Sequence, residues 1–236
     1  MISRASSRSS PLADSPNMLL VALESSTRSP SIAVSSDGEL RSEHLDGDRP
    51  HASDLLPRLE DILSSLKRSP REITHVAVGT GPGSYTGLRV GIATAHGLAR
   101  AADAELIGIP SVEALAFGEL SVGECGDLVI DARGGGLYHA RYERSDEGLS
   151  PLISPRVVPS EELENLLRES SIALLDQSLE IRVQSREDLR LIYGLIPRAD
   201  SILALAQRRF QNTEQSDREP VLPLYLRPFE GRVRKR

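Results

Sequence analysis

Chemistry in this chain would be expected first in the stretch 79–91, GTGPGSYTGLRVG. Glycines at 79, 81, 83 and 87 alternate with the hydroxyls of Thr80, Ser84 and Thr86. A helix-like run follows. Glycine-rich turns that open helices are common phosphate cradles, because free N–H groups and the helix dipole both favour an anion. A Walker loop also needs a Gly-Lys pair, and none follows here. A dinucleotide fingerprint needs Gly-x-Gly-x-x-Gly. Started at Gly79 its last position is Ser84, and started at Gly81 it is Thr86. What remains is a turn capped by Ser84 or Thr86, leading into a helix whose N-terminus could hold an anion.

Two acidic turns are the other candidates. Glu24-Ser-Ser-Thr27 ends one short apolar run, and Asp131-Ala-Arg-Gly134 ends another. Two carboxylates facing each other across a cleft could hold magnesium and a phosphate. Turn-and-cap roles would account for the same residues. The histidines, His44, His51, His75, His96 and His139, show no metal-ligand spacing. No nucleophile, base and orienter can be assembled from spacing alone.

The elements that would position these residues read as follows. Met18–Glu24 and Ser31–Ser36 are strands. Asp37-Gly38 is a hairpin turn, and Glu39–Leu45 is a third strand. His51–Leu66 has apolar residues at helical spacing, with Pro57 in its first turn or at a bend. Ile73–Gly79 is a buried strand, Thr86–Arg100 a helix, Glu105–Ile109 a strand, and Ser111–Phe117 opens another helix. A second hairpin opening begins near Asp127, with strands at Leu128–Asp131 and Leu137–Arg144. Ser160–Arg168 is a helix, Ile172–Leu175 a strand and Ala199–Phe210 an amphipathic helix. Val221–Leu226 is extended and broken by Pro223. Strands alternating with helices argue for an α/β fold with a mixed sheet. The repeated hairpin suggests two related lobes, the second abridged.

The bulk numbers set outer limits. A chain of 236 residues with 39% hydrophobic content can bury a core, and 3% aromatic content makes that core aliphatic. The net charge is −6; the first 17 residues hold +1 and the last five +4, which leaves −11 for the body. An acidic body is a poor stand-alone binder of phosphate backbones. The basic end, Arg232-Val-Arg-Lys-Arg236, reads as a solvated tail that could touch RNA. Cys125 is the single cysteine. It allows no internal disulfide and no thiolate zinc site, as in a reducing compartment. The apolar run Leu19–Leu23 is too short for a membrane span or a signal core. The serine-rich residues 1–17 read as a disordered leader, a start preceding the true initiator Met18, or a transit peptide.

The helix after the glycine loop needs a physical reason. Gly87, Gly91 and Ala95 recur every four residues and share one face. A glycine inside a helix costs about 1 kcal/mol relative to alanine. Close approach of another backbone would explain two of them, whether from a neighbouring helix or from a second chain.

Five quoted stretches occur in a telling order: LLVALESSTRSPSIAV, HASDLLPRLEDIL, VAVGTGPGSYTGLRVGIATAHGLA, IDARGGGLYHARY and LPLYLRP. Together they resemble the TsaB family, which takes part in making threonylcarbamoyl-adenosine in tRNA. The resemblance runs from Met18 to about Pro228. It implies two ribonuclease-H-like lobes of the actin-like ATPase superfamily. Residues 18–110 would form the first lobe and 111–228 a second, smaller one, between a leader (1–17) and a basic tail (229–236). It also implies a non-catalytic, cytoplasmic subunit that binds a TsaD-type catalytic relative. A TsaE-type ATPase would join them, and tRNA would be met indirectly, through the complex. A homodimer through the same helices is compatible with this. No cofactor of the chain's own is implied, apart from a nucleotide at the inter-subunit seam.

The interface implied is a helical bundle using His51, Leu55, Arg58, Leu59 and Ile62 from one helix. The other helix would contribute Gly87, Leu88, Gly91, Ile92, Ala95 and Ala99. Active relatives carry Asp-x-Gly-[Thr/Ser] in the first hairpin, where this chain has Glu24-Ser25-Ser26-Thr27. The catalytic relative carries two metal-binding histidines four residues apart, where this chain has Ser111 and Leu115. The alternative is an actin-like ATPase or kinase that uses Glu24 and Asp131 around Mg-ATP. A peptidase role, once attributed to this superfamily, lacks a legible nucleophile set.

Overall fold

The structure is a computed structural model and describes residues 18–45, 54–132, 134–212 and 220–224. Leu19–Glu24 (β1) is buried along its whole length, which is why it reads as an unbroken apolar run. It pairs antiparallel with Ser31–Ser36 (β2), which pairs antiparallel with Glu39–His44 (β3). Asp37 and Gly38 turn that hairpin with φ of 49° and 80°, the positive values a two-residue I′ turn needs. Every residue of β3 is exposed, and its charged sequence suits a sheet edge.

Leu55–Ser65 (α1) buries Leu55, Leu59, Ile62 and Leu63, with Pro57 in its first turn, where its missing N–H is harmless. His75–Gly79 (β4) runs parallel to β1. Tyr85–Ala102 (α2) follows and stops at Asp103, which adopts a left-handed cap at φ 54°. Glu105–Ile109 (β5) pairs parallel with β4, and Ser111–Glu119 (α3) leads out of the lobe.

The second half repeats this plan. Cys125–Asp131 (β6), Gly136–Ser145 (β7) and Gly148–Pro159 (β8) form an antiparallel meander. Leu163–Leu167 (α4) precedes Ile172–Leu175 (β9), and Arg190–Tyr193 (β10) pairs parallel with it. The first sheet has the order β3-β2-β1-β4-β5 and the second β10-β9-β6-β7-β8. Matching each strand to its counterpart gives the same order in both, so the two are ribonuclease-H-like repeats of one α/β design. The abridgement lies in the helices. The crossover between β8 and β9 holds the five-residue α4, against eleven residues for α1. A short 3-10 turn at Gln177–Arg182 stands where α2 has eighteen residues.

Helices α1 and α2 cover one face of the first sheet, through Leu59, Ile62, Ile92 and Ala95 against Leu19, Val21, Leu23 and Val78. Ala199–Asn212 (α5) covers the other face, with Ala199, Ile202, Leu203 and Ala206 against Leu20, Ala22, Ala33 and Ala77. This helix follows the second sheet in sequence yet packs on the first. Helix α3 sits beside α5 and places Val112, Leu115 and Ala116 on Leu128, Ala140 and Leu174 of the second sheet. Near the end of the chain, Val221 returns to the first core, and the Leu224 N–H donates to Thr80 O at 2.8 Å. No helix among the described residues is long and apolar enough to cross a membrane. The expected leader at 1–17, the basic tail at 229–236 and His51 lie outside the described residues.

Candidate functional site: the glycine loop and the two faces of α2

The turn after β1 and the loop after β4 close onto one another. Ser84 N–H donates to Ser26 O at 2.6 Å. A Cβ on Gly83 would lie 2.3 Å from that same oxygen, and one on Gly87 would lie 2.1 Å from Ser25 O. Ser25 Oγ donates to Gly87 O at 2.9 Å, and a Cβ on Gly91 would sit 2.0 Å from that hydroxyl. These contacts are closer than any side chain allows, so the glycines let the β1–β2 turn lie directly on α2. The peptide bond before Pro82 is cis. Ser84 is the N-cap, accepting from the Gly87 N–H at 3.3 Å.

Glu24 is sealed beneath this lid. It is fully buried; one carboxylate oxygen accepts from the Ser26 N–H at 2.5 Å and the other from the Ser111 hydroxyl at 2.7 Å. Ser111 Oγ also accepts from the Gly81 N–H at 3.0 Å, tying the loop to α3. A Cβ on Gly79 would fall 2.0 Å from the Glu24 carboxylate, so strand β4 closes the remaining side. Asp131, the counterpart at the end of β6, is exposed. The two carboxylates therefore occupy unlike settings, one enclosed by its own chain and one open to water. Among the described residues no group of three or more His, Cys, Asp or Glu side chains could hold a metal ion. The residues around Glu24 do not fit a magnesium nucleotide. Ser111 is committed to Glu24 and the loop, and Leu115 is 4% exposed in the core between the lobes.

The glycine stripe needs correcting as an interface. Leu88, Gly91, Ile92, Ala95 and Ala99 are the buried face of α2, and the face rests on the chain's own first lobe. Gly87 is half-buried against Ser25. Leu55, Leu59 and Ile62 of α1 are likewise core residues, at 0%, 2% and 3% exposure. Of the described residues expected at a partner interface, Arg58 alone is exposed, and it pairs with Asp61 at 3.6 Å. The spacing was real, but the backbone that approaches is that of Ser25, in the same chain.

The opposite face of α2 is the one left open. Thr86, Ala93, Gly97 and Ala101 are exposed and Val90 is half-exposed. At about 100° per residue these five fall on one stripe, diametrically across from Leu88–Gly91–Ala95. Arg89 and Arg100 run along one side of it, Arg89 stacking over the Tyr85 ring at 5.2 Å. Gly97 is distinctive, because a Cβ there would meet nothing within 4 Å. Nothing within the described residues explains a glycine at that helical position. The signal was present in the sequence as the absence of charge between Arg89 and His96, which marks a helix apolar on more than one side.

Comparison with known proteins agrees with this architecture. A family model described as "TsaD: tRNA N6-adenosine threonylcarbamoyltransferase" matches residues 46–185. The tRNA threonylcarbamoyladenosine biosynthesis protein TsaB of Escherichia coli strain K12 is 30% identical over 220 residues, covering 89% of this chain and 95% of that relative. The chain belongs to the TsaB family. The TsaB protein of Bacillus subtilis strain 168 is 24% identical and covers 92% of this chain and 97% of its own length. A solved structure from Pseudomonas aeruginosa, titled as an uncharacterized protein with similarity to peptidase YEAZ, superposes with a TM-score of 0.74 at 26% identity. It covers 89% of this chain and 100% of its own. A second, titled YeaZ from the same organism, gives 0.73 at 26%. A role in tRNA threonylcarbamoyladenosine biosynthesis follows for this TsaB-family chain.

The sealed Glu24 has a measurable signature in a TsaB-family protein of this kind. Burial is the largest influence on its carboxyl and pushes the pKa above the ordinary 4.5, while the hydrogen bonds from Ser26 and Ser111 oppose the rise. The folded state therefore keeps the proton to higher pH than the unfolded state does. Stability contributed at this position is greatest below pH 4.5 and falls as pH rises through the folded-state value. Glu24→Gln keeps an acceptor for Ser26 and removes the buried charge. Its urea midpoint is expected above the parent's at neutral pH, with the two curves converging as pH falls toward 4.5. A gap independent of pH would contradict the assignment.

Proposed function

We infer that this chain is a non-catalytic scaffold subunit of the machinery that places threonylcarbamoyl on the tRNA adenosine next to the anticodon. It binds and stabilises a TsaD-type catalytic subunit through the outward stripe Thr86–Val90–Ala93–Gly97–Ala101 of α2. A TsaE-type ATPase joins that pair, and tRNA is met through the complex, in the cytoplasm. The supporting observation is Gly97, an exposed helical glycine whose added Cβ would meet no atom within 4 Å among the described residues. Small residues in a row let a partner helix come close enough for backbone contact, and an exposed apolar stripe is covered when it does. A homodimer of the chain alone, were one to form, would use the same stripe.

The ATPase or kinase reading is the weaker one, because Glu24 is closed off by Gly79, Ser111 and the loop that would have held phosphate. Size exclusion of the chain with a TsaD-type protein from the same source tests the scaffold reading. A mixed species is expected. Elution of the two as separate peaks at micromolar concentration would overturn it.

A further inference from the structure

Over the face of the second sheet that carries Val129, Leu137 and Ala173, a cavity of about 320 Å³ opens between α4 and the segment 182–189. Leu163, Leu167, Val183 and Leu189 form its apolar lining, and Glu164, Arg168 and Arg182 stand at its rim. Arg186 is part of the wall rather than of the rim. Its guanidinium donates to the carbonyls of Leu167, Arg168 and Ser170 at 3.3, 3.2 and 3.2 Å and pairs with Asp188 at 3.1 Å. It thereby satisfies the open carbonyls at the end of α4.

Ser170 is fixed from behind. Its hydroxyl donates to the buried Asp127 at 2.5 Å, and Asp127 also holds His139 Nε2 at 2.8 Å. Ser170 and His139 each meet Asp127 and not one another, so this cluster is a brace and no nucleophile arrangement. The wall of the cavity is set before anything enters it.

Arg168 and Arg182 are placed differently. Each is exposed, and among the described residues each side chain gives one hydrogen bond, Arg168 to Asn165 Oδ1 and Arg182 to Ser160 O, both at 2.8 Å. A guanidinium has five N–H donors in a fork that matches a carboxylate. Beside Arg182 stands Ile181, 95% exposed.

We propose that this cavity docks a polypeptide segment of a partner protein in which an apolar side chain is followed by an acidic one. The leucine-lined floor takes the apolar side chain, and the volume suits one or two such groups. The two rim arginines pair with the carboxylate. Glu164 on the same rim penalises a polyanion such as a nucleic-acid backbone, whose affinity grows with every uncompensated cation. Ile181, next in sequence to the rim residue Arg182, adds exposed apolar surface outside the cavity, which an extended polypeptide can cover and a small molecule seated in the cavity does not.

The test is an amide NMR titration of the full chain with three probes. These are an acetylated hexapeptide centred on Leu-Asp, its Leu-Lys counterpart, and a ten-nucleotide oligouridylate. The Leu-Asp peptide is expected to shift the amides of Leu163, Val183 and Leu189 saturably. It should bind at least about fivefold tighter than the Leu-Lys peptide, and Arg182→Glu or Arg168→Glu should abolish or reverse that ranking. Both substitutions are at exposed positions, and the remaining resonances report that the fold is kept. Equal binding of the two peptides, no saturable shift at millimolar peptide, an unchanged ranking in both variants, or a preference for the oligonucleotide at the same amides would each overturn the proposal.

Discussion

Gly87→Ala is expected to destabilise the folded chain by about 3 kcal/mol, even though alanine is the better helix former by about 1 kcal/mol. The new methyl would arrive 2.1 Å from Ser25 O, a backbone atom that moves only if the β1–β2 turn moves with it. That turn is pinned by Ser84 N–H to Ser26 O and by Ser26 N–H to one oxygen of Glu24, whose other oxygen is held by Ser111, so the displacement would spread into the seal around the carboxylate. Gly91→Ala meets a hydroxyl instead, Ser25 Oγ at 2.0 Å, which can rotate aside at the expense of its bond to Gly87 O. The expected order is therefore a large loss for Gly87→Ala and a smaller one for Gly91→Ala, read from urea midpoints at fixed pH. A midpoint for Gly87→Ala at or above the parent's would show that the turn does not lie on the helix as described.

Ala93→Arg is expected to leave the isolated chain within about 0.5 kcal/mol of the parent, because the side chain points to water. Its effect on association with a TsaD-type partner should be severe. A guanidinium forced into a close-packed helix seam has no counter-charge waiting for it, and burying it unpaired costs about 3–5 kcal/mol. That is a loss of about two to three and a half decades in affinity, measurable by calorimetry. Unchanged affinity would remove α2's outer face from the interface. Read together, the two substitutions separate the faces of one helix. Gly87 answers to folding and Ala93 to partnership.

The sequence carried much of this, and its failures have identifiable causes. Short apolar runs placed β1 and β4, helical spacing placed α1, and the run after the glycine loop placed α2, each within a few residues of its observed bounds. The repeated hairpin opening anticipated the matching strand orders of the two sheets. Strand β8 was not anticipated; Pro151, Pro155 and Pro159 interrupt its pattern. It lies at a sheet edge, where a missing N–H is tolerated. Strand β10 is four residues long with one exposed and three half-buried positions, too short to show a period.

The glycine stripe is the instructive case. Spacing identified a face of α2 that must be approached by a backbone. It carried no information on whose backbone that is, since Ser25 is 62 residues from Gly87 in sequence. The Asp127–His139–Ser170 brace was illegible for a similar reason. Its members are separated by 12 and 43 residues and come together only because β6 pairs with β7 and α4 ends beside them.

Alkylation of a single thiol would test the central claim most directly. In a Cys125→Ser background, Ala93→Cys places a thiol on the outer stripe of α2, and Leu152→Cys places one on the 53%-exposed edge of β8. Iodoacetamide rates are then measured with and without saturating TsaD-type protein. The scaffold account predicts a rate reduced at least about tenfold at position 93 and unchanged at position 152, since a packed seam excludes reagent as it excludes water. Equal rates at position 93 with the partner present and absent, while the two proteins co-elute, would contradict it.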